Sequence, residues 1–441
     1  MFNRLPSRSL LILPVLLLLL LFQLISSLHL TDFYAHAHAG EQASEVQGAS
    51  PELLRGWEPI TLTPRELPEL QGKRLSSLRV LVWRSGWHLI PFQLDEKDEH
   101  GRYVLTEGPQ PQRGDGLFSG QDELFLLRRD LGIRPPSLEG LPCGEGVLLS
   151  LGRQGGMPLG YGVVVSCPSM GQDISVPAPV SLALGIETED YQLRFEGAQP
   201  MEPVGLIFKR GLGGSGLNLL RGLFVEGEAS FLVGLVRVTR GMEHFRSSLV
   251  SWKVGPLRSF RRTAPRIQTY GQRYTNEGTF TLDSIHQAGT LTFDLQMHTS
   301  SALGSWLTDL VLRVAWDFQG VEGMVLSTML GEGVGRVDGQ LSPAESLLES
   351  QDSRWLRLEG RQGQFLGMLS YHSAQPLVRR LYYRELGPGQ LRAGFELHGL
   401  HRAPVGRTWY RATFWNLGRG GAKLGAEVLE RQMRPIVRVE E

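Results

Sequence analysis

The chain has 441 residues in which 45 lysines and arginines balance 45 aspartates and glutamates, so it carries no net field that would recruit nucleic acid or an acidic membrane surface. Glycine is abundant at 54 residues and proline stands at 25, without collagen spacing or a low-complexity tract, which suits tight turns between short strands. Only two cysteines occur, too few for an iron–sulfur site, and no C-x-x-C-H haem motif exists.

Residues 1–9 carry Arg4 and Arg8 with no acid, and residues 10–25 (LLILPVLLLLLLFQLI) are almost wholly apolar. That is the charged start and hydrophobic core of an export signal. Ala37-His38-Ala39 offers the small-x-small pattern of a cleavage site, so residues 1–39 read as a signal peptide cut after Ala39. A retained N-terminal anchor is the alternative, because the cleavage site lies well beyond the apolar run. Either way the bulk of the chain is expected outside the cytoplasm, periplasmic or secreted. His36 and His38 read as part of the processing region, and no metal or cofactor is predicted anywhere in the chain.

Residues 40–75 are rich in Glu, Pro, Ser and Gln with little periodicity and read as an extended linker. A β-rich domain is expected over 76–280 and a second β-sandwich domain over 281–441, the boundary resting on the change of composition after the basic stretch 251–275. Cys143 and Cys167 stand beside turn-forming residues, and in an exported chain they are predicted to form one disulfide. Residues 122–131 are ambiguous between helix and strand. The G-x-G-x-x-G match at 211–216 is followed by strand-like sequence and reads as a turn, not a dinucleotide site.

Period-two alternation then recurs. TLTFDLQM at 290–297 places Leu291, Phe293, Leu295 and Met297 on one face, and VLRVAWDF at 311–318 turns Leu312, Val314, Trp316 and Phe318 inward. The pattern returns at 391–398 and 409–415, where Trp409 and Trp415 fall opposite Tyr410 and Phe414. Helix is confined to about two turns over 343–351, with Ser342 as N-cap. This balance predicts an all-β fold, a mostly antiparallel β-sandwich or jelly-roll.

Three groups of residues are candidates for function. Glu187, Glu189 and Asp190 crowd beside Tyr191 and would serve as catalytic acid and base if their turn entered a cleft. Arg258 and Arg262, on one face of an extended segment, suit the binding of an acidic glycan or other polyanion. Trp409 and Trp415 offer aromatic faces on which a sugar ring stacks, although aromatics also fill sandwich cores. The acids of 95–101, 115 and 122–123 miss the calcium-loop spacing and read as a solvated hairpin rim.

Pro91, Gln93 and Asp95, followed by Asp122, Glu123, Leu124 and Phe125, resemble the P-x-Q-x-D…D-E-L-x-F pattern of mutarotase-like supersandwich proteins, except that Phe125 follows Leu124 directly. Thr188-Glu189-Asp190-Tyr191 and Leu312-Arg313 through Trp316-Asp317 resemble fragments of a jelly-roll glycosidase family acting on fructose- or arabinose-type sugars, in reversed order. Both resemblances imply a β-sandwich carbohydrate protein. The expectation is an extracytoplasmic carbohydrate-active or carbohydrate-binding protein; the alternative is a non-catalytic envelope or assembly protein that docks a partner chain through its sheets. Whether it is an enzyme is left open.

Overall fold

The alternating segments all become strands. The computed structural model describes residues 59–152, 158–171, 184–210, 214–231, 236–268, 273–274, 280–299, 307–372, 377–402, 406–416 and 436–440. The predicted signal or anchor segment 1–39 lies outside them. Among the described residues no helix is long and apolar enough to cross a membrane.

Two large antiparallel sheets carry the architecture. One has five strands in the order β12 (Val236–Gly241), β11 (Leu220–Phe231), β17 (Leu307–Gln319), β23 (Gln390–His398) and β22 (Val378–Gly387). The other has nine: β13 (Phe245–Val254), β14 (Arg258–Ile267), β15 (Phe280–Gln287), β16 (Thr290–Thr299), β24 (Gly406–Asn416), β21 (Gly363–His372), β20 (Trp355–Gly360), β18 (Val325–Thr328) and β19 (Gly331–Arg336). Alternation gives each sheet an apolar inner face. Leu291, Phe293 and Leu295 of β16, Tyr410 and Phe414 of β24, and Trp316 and Phe318 of β17 meet in one core, with the Trp316 and Phe414 rings 4.7 Å apart. A three-stranded sheet of β8 (Gly185–Glu187), β9 (Tyr191–Glu196) and β10 (Gln199–Phe208) adds Tyr191, Leu193 and Phe195 to that core. The predicted all-β sandwich is therefore the fold.

Two smaller sheets complete it. One is β1 (Pro59–Leu62), β5 (Glu123–Leu127) and β4 (Gln93–Asp95). The other is β25 (Ile436–Glu440), β6 (Gly146–Gly152), β7 (Pro158–Ser166), β2 (Leu78–Trp83) and β3 (Trp87–Leu89). Residues 59–75 depart from the linker reading: Ile60, Leu62, Leu67 and Leu70 are buried against Leu78, Val80 and Leu126. Their spacing was too short to register as a period, yet pairing with β5 completes it. The division expected near 280 falls at the first residue of β15, which pairs with β14 on one side and β16 on the other.

Local signals are realised elsewhere too. Ser342 and Glu345 form a reciprocal capping box on α1 (Pro343–Ser346), after which Leu348–Ser350 tightens into a single 3-10 turn. Residues 214–216 lead from β10 into β11, not into a helix. Cys143 and Cys167 are joined, their Cα atoms 5.4 Å apart, and the bond clips the two ends of the segment that holds the β6–β7 hairpin.

Candidate functional site: an apolar cavity between the sheets

Facing sheets about 10 Å apart fill their gap only if large side chains interdigitate across it. At one end of this sandwich they do. Trp316, Phe318, Phe365 and Phe414 lock together edge to face, with Phe318 and Phe365 centroids 5.1 Å apart. Toward the other end β11 presents Gly227 and Ala229, and β24 presents Ala412. These side chains are too small to meet partners from the opposite sheet. The result is a cavity of about 630 Å³ lined by both inner faces. Protein interiors rarely leave voids much larger than a water molecule, and this volume lies in the range of ligand pockets.

The lining follows the strands in order. Leu310, Leu312, Val314 and Trp316 descend along β17, while Thr408, Tyr410, Ala412 and Phe414 descend along β24. Each row covers six residue steps, so the chamber is roughly 20 Å deep at strand rise. Its floor is the aromatic cluster. Gln268, His298 and His401 sit among the lining residues at the opposite end, and Arg240, paired with Gly227 from the edge strand β12, reaches Gln268 there with its side chain. Inside, Thr408 Oγ1, Tyr410 Oη and the Trp316 indole nitrogen are buried and, among the described residues, find no hydrogen-bond partner beyond the Thr408–Tyr410 contact itself. Cavities whose walls are mostly apolar take apolar guests. No residue of this cavity was singled out as a site from sequence. The available signal was the run of small residues, Gly227, Ala229 and Ala412, at inward positions of otherwise large-residue strands.

The arginines predicted to grip a polyanion grip the protein instead. Arg258, only 5% exposed, lies at 2.7 Å from Asp95 and 2.6 Å from Glu123, with its guanidinium 4.3 Å from the Phe125 ring centroid. Asp95 also accepts from Lys253 at 2.7 Å, and Lys97 reaches Glu123. The Gln93 carbonyl receives the backbone N–H of Arg258 at 3.0 Å, while its amide donates to Asp95 at 2.9 Å. Arg262 is buried and clasps Asp283 through two bonds of 2.7 and 2.6 Å, with Gln112 at 2.7 Å. Of the acids expected on a solvated rim, Asp95, Asp122 and Glu123 are buried, whereas Glu99 and Asp115 are exposed. The physical reason is that β14 presents Arg258 and Arg262 to the outer face of the nine-stranded sheet, and residues 93–125 lie over that face.

Charge is strongly coupled there. Burial pushes the Glu123 carboxyl up, but Arg258 and Lys97 outweigh it and hold it at about 2. Burial likewise opposes ionisation of Asp95, and the Arg258 and Lys253 charges leave it lowered. Tyr103 donates its hydroxyl to Glu123 at 2.9 Å, and burial followed by that neighbouring carboxylate raises its own proton affinity.

The acids at 187–190 are also committed. Glu187 pairs with Lys209 at 2.6 Å, Glu189 clasps Arg129, and fully buried Asp190 accepts from the Thr188 hydroxyl and the Gly289 amide, both at 2.9 Å. Trp409 and Trp415 lie on the outer face of β24, as the alternation predicts. Trp415 is buried, whereas half-buried Trp409 carries the Arg411 guanidinium 4.5 Å from its ring centroid. Among the described residues no group of three or more His, Cys, Asp or Glu is placed to hold a metal.

No protein-family model matches the chain, and no curated protein sequence is similar to it. Among solved structures, an alpha-mannosidase from Enterococcus faecalis V583 is 11% identical with a TM-score of 0.43, covering 88% of this chain and 45% of its own. A glycosyl hydrolase family 38 protein from Enterococcus faecalis is 10% identical with a TM-score of 0.45, covering 88% of this chain and 46% of its own. A beta-arabinopyranosidase is 9% identical with a TM-score of 0.28, covering 52% and 39%. The chain spans less than half the length of each. The resemblance to carbohydrate-active β-sandwich proteins is weak and low in identity, and it carries no argument about reaction or substrate.

Proposed function

We propose that the chain is an extracytoplasmic binding protein that holds an apolar small molecule between its two main sheets. The cavity carries this reading: its walls are predominantly apolar, and small residues, Gly227, Ala229 and Ala412, leave it room. The N-terminal charge and hydropathy pattern supports placement outside the cytoplasm. N-terminal sequencing of exported protein is expected to begin at Gly40, and an intact Met1 in membrane-bound material would replace cleavage with an anchor.

The test is binding of N-phenyl-1-naphthylamine, whose emission rises in dry apolar surroundings, to the folded protein and to Ala229→Trp and Ala412→Trp. The expected result is saturable enhancement that falls at least tenfold in affinity in either variant while the circular dichroism spectrum and thermal transition persist. Absence of enhancement with the unmodified protein overturns the reading. Two variants are used because overpacking sometimes costs the fold.

A glycan-binding reading is favoured by one observation, the half-buried Trp409 on the outer face of β24. Loss of binding on a glycan array in Trp409→Ala would support it. Equal behaviour of the variant, or no binding at all, would remove it.

A further inference from the structure

The rim of the cavity differs in charge from its walls. On β12 the residues Val236, Val238 and Arg240 share the inward face and line the chamber. Arg237, one step out of phase, turns outward and pairs with Glu228 at 3.1 Å. Glu226 and Glu228 are likewise held on the outer face by Arg313 at 2.7 and 3.1 Å. Alternation has therefore turned Glu226 and Glu228 of β11 to the outside and left one arginine of β12 inside. Arg240 donates its Nε to the Gln268 carbonyl and its Nη1 to the Thr239 carbonyl, both at 3.2 Å. Among the described residues no carboxylate pairs with it, and Nη2 donates to no acceptor. A guanidinium half-fixed by backbone carbonyls at the mouth of an apolar chamber presents its remaining N–H groups in the fork geometry that carboxylate and phosphate oxygens accept.

We infer that the ligand of the cavity is a single-chain amphiphile with an anionic head group, its hydrocarbon chain laid between the sheets and its head on Arg240. This rests on the cavity being a ligand site, as proposed above. The depth sets the chain length: roughly 20 Å at strand rise accommodates about 16 carbons when carbon–carbon bonds of about 1.5 Å lie in an extended zigzag. A branched or polycyclic apolar molecule would use the volume without using the depth. The head group is defined by charge, so carboxylate and phosphate are both admitted, and the experiment separates them.

The measurement is displacement of bound N-phenyl-1-naphthylamine by hexadecanoic acid, hexadecyl phosphate and methyl hexadecanoate, with the unmodified protein, Arg240→Gln and Arg237→Gln. The acid or the phosphate is expected to displace the dye about tenfold more tightly than the ester, the size of one charge-assisted contact at a partly exposed site. Arg240→Gln should close that gap and leave dye and ester affinities unchanged, and Arg237→Gln should preserve it. Saturated acids of increasing length should gain roughly three- to fourfold per methylene, then level off near 16 carbons. Dye binding with equal affinities for acid, phosphate and ester, or a gap that survives Arg240→Gln, overturns the anionic assignment and leaves the cavity reading standing. Failure of the dye to bind removes both.

Discussion

Arg258 stands where Asp95, Glu123 and the Phe125 ring converge, and without it each of these buried carboxylates would keep a single cationic partner, Lys253 for Asp95 and Lys97 for Glu123. Arg258→Ala is therefore expected to destabilise the fold by about 3–5 kcal/mol in urea unfolding, the cost of breaking a buried ion pair from one side. A neutral effect would place the network nearer to solvent than it lies. The same network sets an acid limit. The Glu123 carboxyl titrates at about 2 when folded against a usual value of 4.5, so its contribution is complete above about pH 4.5 and is lost as the pH falls toward 2. At 1.36 kcal/mol per unit the difference amounts to about 3 kcal/mol. Asp95, also lowered, adds to the loss in the acid range. Glu123→Gln should flatten the stability profile across that window, as followed by unfolding midpoints between pH 2 and 6.

At the level of elements, β14 shows how one extended segment serves two environments. Arg258 and Arg262 leave it toward the outer face, while Arg261 leaves it inward, where burial lowers its proton affinity to about 10 and its guanidinium rests 3.5 Å from the Phe195 ring centroid. The β6–β7 hairpin shows a different constraint. Cys143 and Cys167, 24 residues apart, bracket it, and closing a loop of that length stabilises by about 3 kcal/mol through the unfolded chain, on the entropic account. Replacement of both by serine should lower stability by about that amount. Reduction of the native protein should raise its intact mass by about 2 Da as one disulfide becomes two thiols. No mass change would show that the bond is absent in the isolated material.

For the whole molecule, strands from both sides of residue 280 are interleaved: β11 pairs with β17, and β14 with β15. Neither half retains either of the two large sheets complete. Fragments 40–280 and 281–441 expressed separately are expected to lack cooperative thermal transitions, and the intact chain should unfold with coincident fluorescence and circular dichroism midpoints. A folded fragment would restore a division at 280. The cavity adds a second whole-molecule consequence. A ligand that binds only the folded state should stabilise it by about 2.7 kcal/mol at a hundredfold excess over Kd.

What the sequence determined by itself is what short-range periodicity encodes. Alternation at 290–297, 311–318, 391–398 and 409–415 gave both the strands and their inward faces, because a strand repeats every two residues whatever lies opposite. The capping box at Ser342 and Glu345 is equally local, and two cysteines in one chain admit a single intramolecular pairing. Tertiary structure decided everything that depends on partners distant in sequence. Arg258 meets Asp95 across 163 residues, so its charge, legible as a basic stretch, became an interior pair and not a surface for polyanions. The cavity is of the same kind. Gly227, Ala229 and Ala412 are unremarkable small residues in their own strands, and they leave a chamber only because two sheets carry them to facing surfaces. Side-chain volume is a property of the residue, whereas the volume left unfilled belongs to the pair of sheets.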